Sequence, residues 1–130
     1  MQFGAIYVTY TLMPEALEYL DTEGRSPFRL WFWRLEARAA ARVDRAVLKL
    51  ERGLRPNVES VGEGVLEARI DYGPGHRVYF GLDGVTLIVL LGGGDKRTQS
   101  KDIGEAHRRW ADYKARKGKE QQHGTYTQLS

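Results

Sequence analysis

The feature that most constrains this chain is a change of hydrophobic period. From Phe28 to Leu54 apolar residues recur at helical spacing; from Leu66 to Leu82 they recur at every second position, and Val85 to Leu91 is almost wholly apolar, as a strand buried on both faces would be; from Ile103 to Tyr113 the helical spacing returns. A helix buries a stripe at the first spacing and a strand buries a face at the second. The chain is therefore expected to run through two helices, a three-stranded meander and a last helix. That is an α+β architecture, a small antiparallel sheet packed against a helical hairpin with an additional C-terminal helix.

Local signals sharpen the boundaries. The segment from Glu15 to Asp21 reads as a first short strand. Ser26-Pro27 is a hydroxyl N-cap followed by proline at the first helical position. Phe28, Trp31, Phe32 and Leu35 then mark one buried face. A second helix is expected from about Glu36 to Arg52, with Val43, Val47, Leu50 and Leu54 as its apolar stripe and Gly53 as its breaker. After a loop from Pro56 to Gly64, Leu66, Ala68 and Ile70 form one strand. Val78, Phe80 and Leu82 form the next, and Val85 to Leu91 a third that Gly92-Gly93-Gly94 ends. Gly73-Pro74-Gly75 and Asp83-Gly84 supply the two turns. A third helix is expected from Ser100 to about Lys117, its inner face made of Ile103, Ala106, Trp110 and Tyr113. The division is thus an N-terminal extension (1–14), a domain (15–117) and a flexible polar tail (118–130). Residues 1–13 are uncharged and rich in β-formers. They read as an extra edge strand, as a lead-in, or as an extension ahead of a start at Met13.

The chain has 130 residues and no cysteine, which excludes disulfide scaffolds, thiolate zinc sites and cysteine nucleophiles. No apolar run approaches a membrane span and no secretory signal precedes the domain, so a cytoplasmic protein without a membrane partner is expected. The net charge of +3 is unevenly spread. Residues 1–24, 25–55, 56–94 and 95–130 carry net charges of −4, +6, −3 and +4. Two basic blocks of this kind suit a polyanionic partner, with solvated charged helices as the alternative. In the first block Arg38, Arg42, Arg45, Lys49 and Arg52 share one helix face.

Strand alternation makes a geometric prediction. If Leu66, Ala68 and Ile70 point into the core, Arg69 points away, and if Val78 and Phe80 point in, Arg77 and Tyr79 point away. Arg69, Arg77 and Tyr79 are then expected on one exposed sheet face, with Lys96 and Arg97 at its rim. Such a surface suits a phosphodiester and a stacked base; the alternative is that Arg69 pairs with Glu67 or Asp71 in water. His76, His107 and His123 fall on a turn, a helix and a tail, so neither a metal site nor a cofactor is expected. Gly92-Gly93-Gly94-Asp95-Lys96 lacks the spacing of a nucleotide phosphate loop.

Ser26-Pro27-Phe28, Gly62-Glu63-Gly64-Val65, the run Arg69-Ile70-Asp71-Tyr72-Gly73-Pro74-Gly75-His76-Arg77-Val78-Tyr79-Phe80 and Gly93-Gly94-Asp95-Lys96 together resemble the RelE/ParE superfamily of type II toxins. The resemblance covers residues 15 to 116 and is nearest to the phage-derived, HigB-like branch. It implies the RelE-like fold, a toxin silenced by an antitoxin, here expected to be a helix-turn-helix protein, and ribosome-dependent, metal-independent cleavage of mRNA. It matches Arg77 to the family's phosphate-binding arginine, Arg69 to a second arginine, and Lys96 and Arg97 to a basic pair. Where RelE carries a catalytic tyrosine this chain has Ile103, and Glu67 with its apolar neighbours replaces lysines. Proton transfer is then expected of Tyr79, Tyr72 or His76. In this reading Arg69 and Lys96 bind substrate with Tyr72, while Arg77, Arg97, Tyr79 and His76 form the catalytic group. The stripe from Arg38 to Arg52 docks on ribosomal RNA. Leu30 and Trp33 lie off the buried face of the first helix, forming an apolar patch for the antitoxin, a second copy or the N-terminal segment. The alternatives in function are a ParE-like gyrase-binding toxin and an attenuated toxin that keeps only antitoxin binding.

Overall fold

A computed structural model describes residues 14–129, with side chains through Lys119; the expectations for residues 1–13 lie outside the described residues. The elements are β1 (Glu15–Glu18), α1 (Pro27–Trp33), α2 (Ala37–Glu51), β2 (Val58–Ser60), β3 (Val65–Ile70), β4 (His76–Asp83), β5 (Leu87–Asp95), one 3-10 turn (Lys96–Thr98) and α3 (Gln99–Leu129). No helix among the described residues is long and apolar enough to cross a membrane. The α+β class is as expected. The five strands lie in the order β1-β5-β4-β3-β2.

The sheet is mixed rather than wholly antiparallel. β2, β3, β4 and β5 form an antiparallel run, but β1 pairs in parallel with β5, Leu17 opposite Val89. After β1 the chain crosses over through α1 and α2 and enters the sheet at the opposite edge, and a parallel pair needs such a crossover. β2, placed in a loop by its sequence, is a three-residue edge strand, Glu59 opposite Glu67.

The capping signals hold. Ser26 Oγ accepts the amide of Arg29 at 2.9 Å, with Pro27 in the first turn. α1 stops at Trp33 because the amides of Arg34 and Leu35 turn back to the carbonyls of Trp31 and Phe32. Glu36 then caps α2 by accepting the amide of Ala39 at 2.9 Å. α2 buries Val43 and Leu50, whereas Leu54 falls past the helix end and is exposed.

Helices cover both faces of the sheet. α1 and α2 pack Phe28, Val43 and Leu50 on Ala68, Ile70, Val78, Phe80, Ile88 and Leu90. On the other face Ala106 and Trp110 of α3 meet Val65, Tyr79, Val89 and Leu91. The expected inner face of α3 is correct, but its start is Gln99 and it continues past Lys117 to Leu129.

The glycine run does not end β5, which continues to Asp95. The glycines instead let helices approach from both sides. A methyl group on Gly93 would stand 2.3 Å from the Trp31 indole of α1. One on Gly92 would stand 2.7 Å from Arg109, and one on Gly94 1.8 Å from Asp102, both on α3. Close backbone approach is the usual reason for glycine inside a strand.

Candidate nucleic-acid interface

The β3–β4 hairpin sets the site. Gly73 and Gly75 take positive φ angles of 57° and 82°, which glycine adopts without a Cβ penalty, and the Gly75 amide closes on the Tyr72 carbonyl at 3.0 Å. The turn places Arg69 directly opposite Arg77 and Glu67 opposite Tyr79. All four side chains therefore share one sheet face, as alternation required.

That face is not exposed. α3 lies across it, leaving Tyr79 at 0%, Glu67 at 2% and Arg77 at 9% exposure, while Arg69 stays exposed beyond the covered area. Glu67 accepts a hydrogen bond from Gln99 Nε2 at 2.9 Å and faces Arg77 Nε at 3.6 Å. Arg77 also donates through Nη1 to the Gly75 carbonyl at 3.2 Å. The guanidinium is thus held from behind by a carboxylate and from the side by the turn. Tyr79 sits deeper, and its hydroxyl finds no hydrogen-bond partner among the described residues. Burial, reinforced by the Glu67 charge, pushes its phenol well above the ordinary tyrosine range. Tyr79 is therefore a core residue, and its expected place on an open catalytic surface is corrected.

Arg69, Arg77, His76 and Lys96 do come together. With Asn57, Ile70, Asp71 and the Gly73-Pro74-Gly75 turn they line a cleft of about 530 Å³ at the end of the sheet. Arg77 contributes from a buried position, whereas Arg69 and Lys96 are exposed. His76, 8% exposed, stands edge-on to Trp31 at 6.3 Å between ring centroids and stacks toward Tyr72 at 6.4 Å. Arg69 pairs loosely with Glu59 of the edge strand at 3.4 Å, not with Glu67 or Asp71.

Two expected members are directed elsewhere. Arg97 does not line the cleft; its guanidinium bonds Asp95 at 2.9 Å, and that hydrogen bond holds the Asp95 carboxyl below the usual carboxylate range. Asp95 also accepts the Arg97 amide at 2.8 Å, so the aspartate of Gly-Asp-Lys caps the turn that presents Lys96. Tyr72 donates its hydroxyl to Glu36 at 3.1 Å and carries the Arg42 guanidinium 4.7 Å above its ring. It braces the wall of the site rather than lining the cleft.

A second, smaller hollow of about 180 Å³ lies beside the first. Arg42, Arg45 and Lys49 of α2 line it, and it shares Asn57, Arg69, Ile70 and Asp71 with the cleft. Arg38 on α2 and Arg52 just past its end, the two ends of the stripe, are exposed outside this lining. Leu30 and Trp33 are exposed, at 42% and 71%, as the helical spacing required.

Glu67, Gln99, Asn57 and Asp71 escaped the sequence reading of the site. For Glu67 a signal existed: the apolar face of α3 needs a partner surface, and with α1 and α2 on one side of the sheet that surface is the strand face carrying Glu67.

No family model matches the chain. It is 41% identical over 80 residues to a protein of Haemophilus influenzae described as uncharacterized, a match spanning 61% of this chain and 81% of that one.

Proposed function

We propose that this chain, which belongs to one family with the Haemophilus influenzae protein, is a type II toxin of the RelE/ParE kind. In this reading it is a cytoplasmic endoribonuclease that cuts mRNA on the ribosome. The observation that carries the proposal is the cleft, where a buried, braced arginine and two exposed cations converge beside an imidazole. Pre-positioned positive charge stabilises charge that develops in a transition state without reorganising during the reaction.

The chemistry that fits is transesterification. The ribose 2′-oxygen bonds to phosphorus as the bond to the 5′-oxygen breaks, giving a 2′,3′-cyclic phosphate and a free 5′-hydroxyl. Arg77 at the floor and Arg69 and Lys96 at the rim balance the added negative charge on the phosphoryl oxygens. His76, on the cleft wall, relays the proton that the 2′-oxygen loses and the 5′-oxygen gains. Arg38 and Arg52, outside both hollows, supply contacts to ribosomal RNA. The patch of Leu30 and Trp33 is covered by the antitoxin, a helix-turn-helix protein in this reading.

Primer extension on a reporter mRNA in a purified translation system tests the proposal. The wild type is expected to cut at codon boundaries only when ribosomes are present. Lys96→Ala and Arg69→Ala, both at exposed positions, are expected to lower cutting by about tenfold or more with the fold intact. Intact mRNA with the wild type overturns the proposal, and inhibition of gyrase supercoiling by the same sample then assigns a ParE-like activity.

A further inference from the structure

The five-cation stripe of α2 reads from the sequence as a single docking surface, but the folded chain divides it. Arg42, Arg45 and Lys49 face a hollow that opens onto the cleft, and Arg38 and Arg52 do not. We propose that this hollow is a second phosphate-binding subsite for the same RNA strand whose reacting phosphate occupies the cleft. This assignment rests on the reading of the cleft as an RNA site and specifies how much RNA that site holds.

Continuity is the first support. The hollow and the cleft share Asn57, Arg69, Ile70 and Asp71 as a common wall, so a strand leaving the cleft past Arg69 enters the hollow directly. Size is the second. At about 180 Å³ the hollow falls below the roughly 300 Å³ of ordinary small-molecule pockets, which suits a backbone phosphate better than a base. The 530 Å³ cleft has room for a nucleotide.

Charge and positioning are the third. Four cations face the hollow against one carboxylate, Asp71. Arg42 is held over the Tyr72 ring, and Tyr72 is anchored by its hydrogen bond to Glu36. A guanidinium fixed by its face in this way keeps its N–H edge for an anion, a geometry suited to phosphate. The edge strand β2 ends its pairing at Val58 opposite Ala68, and only the amide of Arg69 continues, to the Asn57 carbonyl.

The test uses the intact chain and two probes, a 2′-O-methyl uridine dinucleotide and the corresponding octanucleotide. The methyl group removes the nucleophile, so binding is read without cleavage. Arg45→Ala and Lys49→Ala are each expected to weaken octanucleotide binding roughly tenfold and to reduce the slope of log affinity against log salt by about 0.7. Dinucleotide affinity should stay unchanged. Arg108→Ala, which removes the same charge from an exposed site on α3, should leave both affinities unchanged. If the α2 variants keep octanucleotide affinity but lose co-sedimentation with ribosomes, these cations contact ribosomal RNA and the subsite is overturned. If Arg69→Ala and Lys96→Ala also leave octanucleotide binding untouched, the RNA reading of the cleft itself fails.

Discussion

The two faces of the sheet are packed in different ways. Under α1 and α2 the strands present Ala68, Ile70, Val78, Phe80, Ile88 and Leu90, an apolar layer with one charged strand residue at its edge, the half-buried Glu18 paired with Arg29 of α1. Under α3 they present Val65, Tyr79, Val89 and Leu91, interrupted by the buried pair Glu67 and Arg77. Burying a charged pair adds less stability than burying apolar groups of the same size. The α3 face therefore stabilises less per residue, and in exchange it holds an arginine in one orientation at the floor of a cleft.

The largest expected effect breaks the apolar face. Phe80 is completely buried at its centre, and Phe80→Ala should destabilise the fold by about 3–5 kcal/mol through lost transfer energy and a cavity. A fall in the urea midpoint with an unchanged slope is the readout. The matching change on the other face is Glu67→Ala. It leaves the Arg77 charge buried without its partner and should cost about 3 kcal/mol. The two are told apart by function measured under conditions where both variants remain folded. On the proposed RNA reading of the cleft, Phe80→Ala should keep RNA binding, and Glu67→Ala should lose it as the guanidinium shifts.

A smaller pair probes how closely each helix lies on the sheet. An added methyl group on Gly93 would stand 2.3 Å from Trp31 of α1, and one on Gly81 would stand 2.6 Å from Trp110 of α3. Gly93→Ala and Gly81→Ala should each cost about 1–3 kcal/mol by overpacking. Comparable losses in thermal unfolding would place the two helices at equally tight distances. A loss confined to Gly93→Ala would mean that α3 yields more readily.

The element order apart from β2, the N-cap of α1, and the inner faces of α3 and of α2 apart from Leu54 were legible because each rests on local spacing. The sharing of one face by Arg69, Arg77 and Tyr79 was legible for the same reason, since alternation and a Gly-Pro-Gly turn determine it. What escaped depends on relations between elements. The parallel pairing of β1 and the edge strand β2 follow from where a crossover returns the chain, which periodicity does not record. The glycines of β5 resembled a terminator because their cause, the ring of Trp31 and the side chains of Arg109 and Asp102, lies on other elements. Alternation put Arg69 and Arg77 on one exposed face, yet α3 buries Arg77 and leaves Arg69 exposed.

Alkaline titration separates the faces by chemistry. The raised Tyr79 phenol belongs to the α3 face alone. Its folded pKa lies above the unfolded value near 10, so folding favours the protonated form. The stability this contributes is fully present below about pH 10 and is lost as the pH rises through the folded value. Tyr79→Phe removes an unpartnered buried hydroxyl and should change stability at neutral pH by less than about 1 kcal/mol. It should also flatten the decline above pH 10, measured by urea unfolding at a series of pH values. A decline of equal steepness in the variant would assign the alkaline sensitivity to other groups.

The one change expected to cost no stability carries the sharpest meaning. Replacing both members of the buried pair, Glu67→Leu with Arg77→Met, removes the charge and its partner together and keeps comparable volume. Buried ion pairs exchanged for packed apolar residues are commonly neutral or stabilising by a few kcal/mol. The double variant is therefore expected to unfold at or above the wild-type midpoint, unlike Glu67→Ala. On the proposed RNA reading of the cleft, RNA binding and mRNA cleavage should nevertheless be absent in the double variant, because the cleft has lost the arginine at its floor. A double variant that is as unstable as the single one would show that Gln99 and the Gly75 carbonyl, which also bond this pair, require its polar atoms. The α3 face would then depend on the pair for stability as well as for binding.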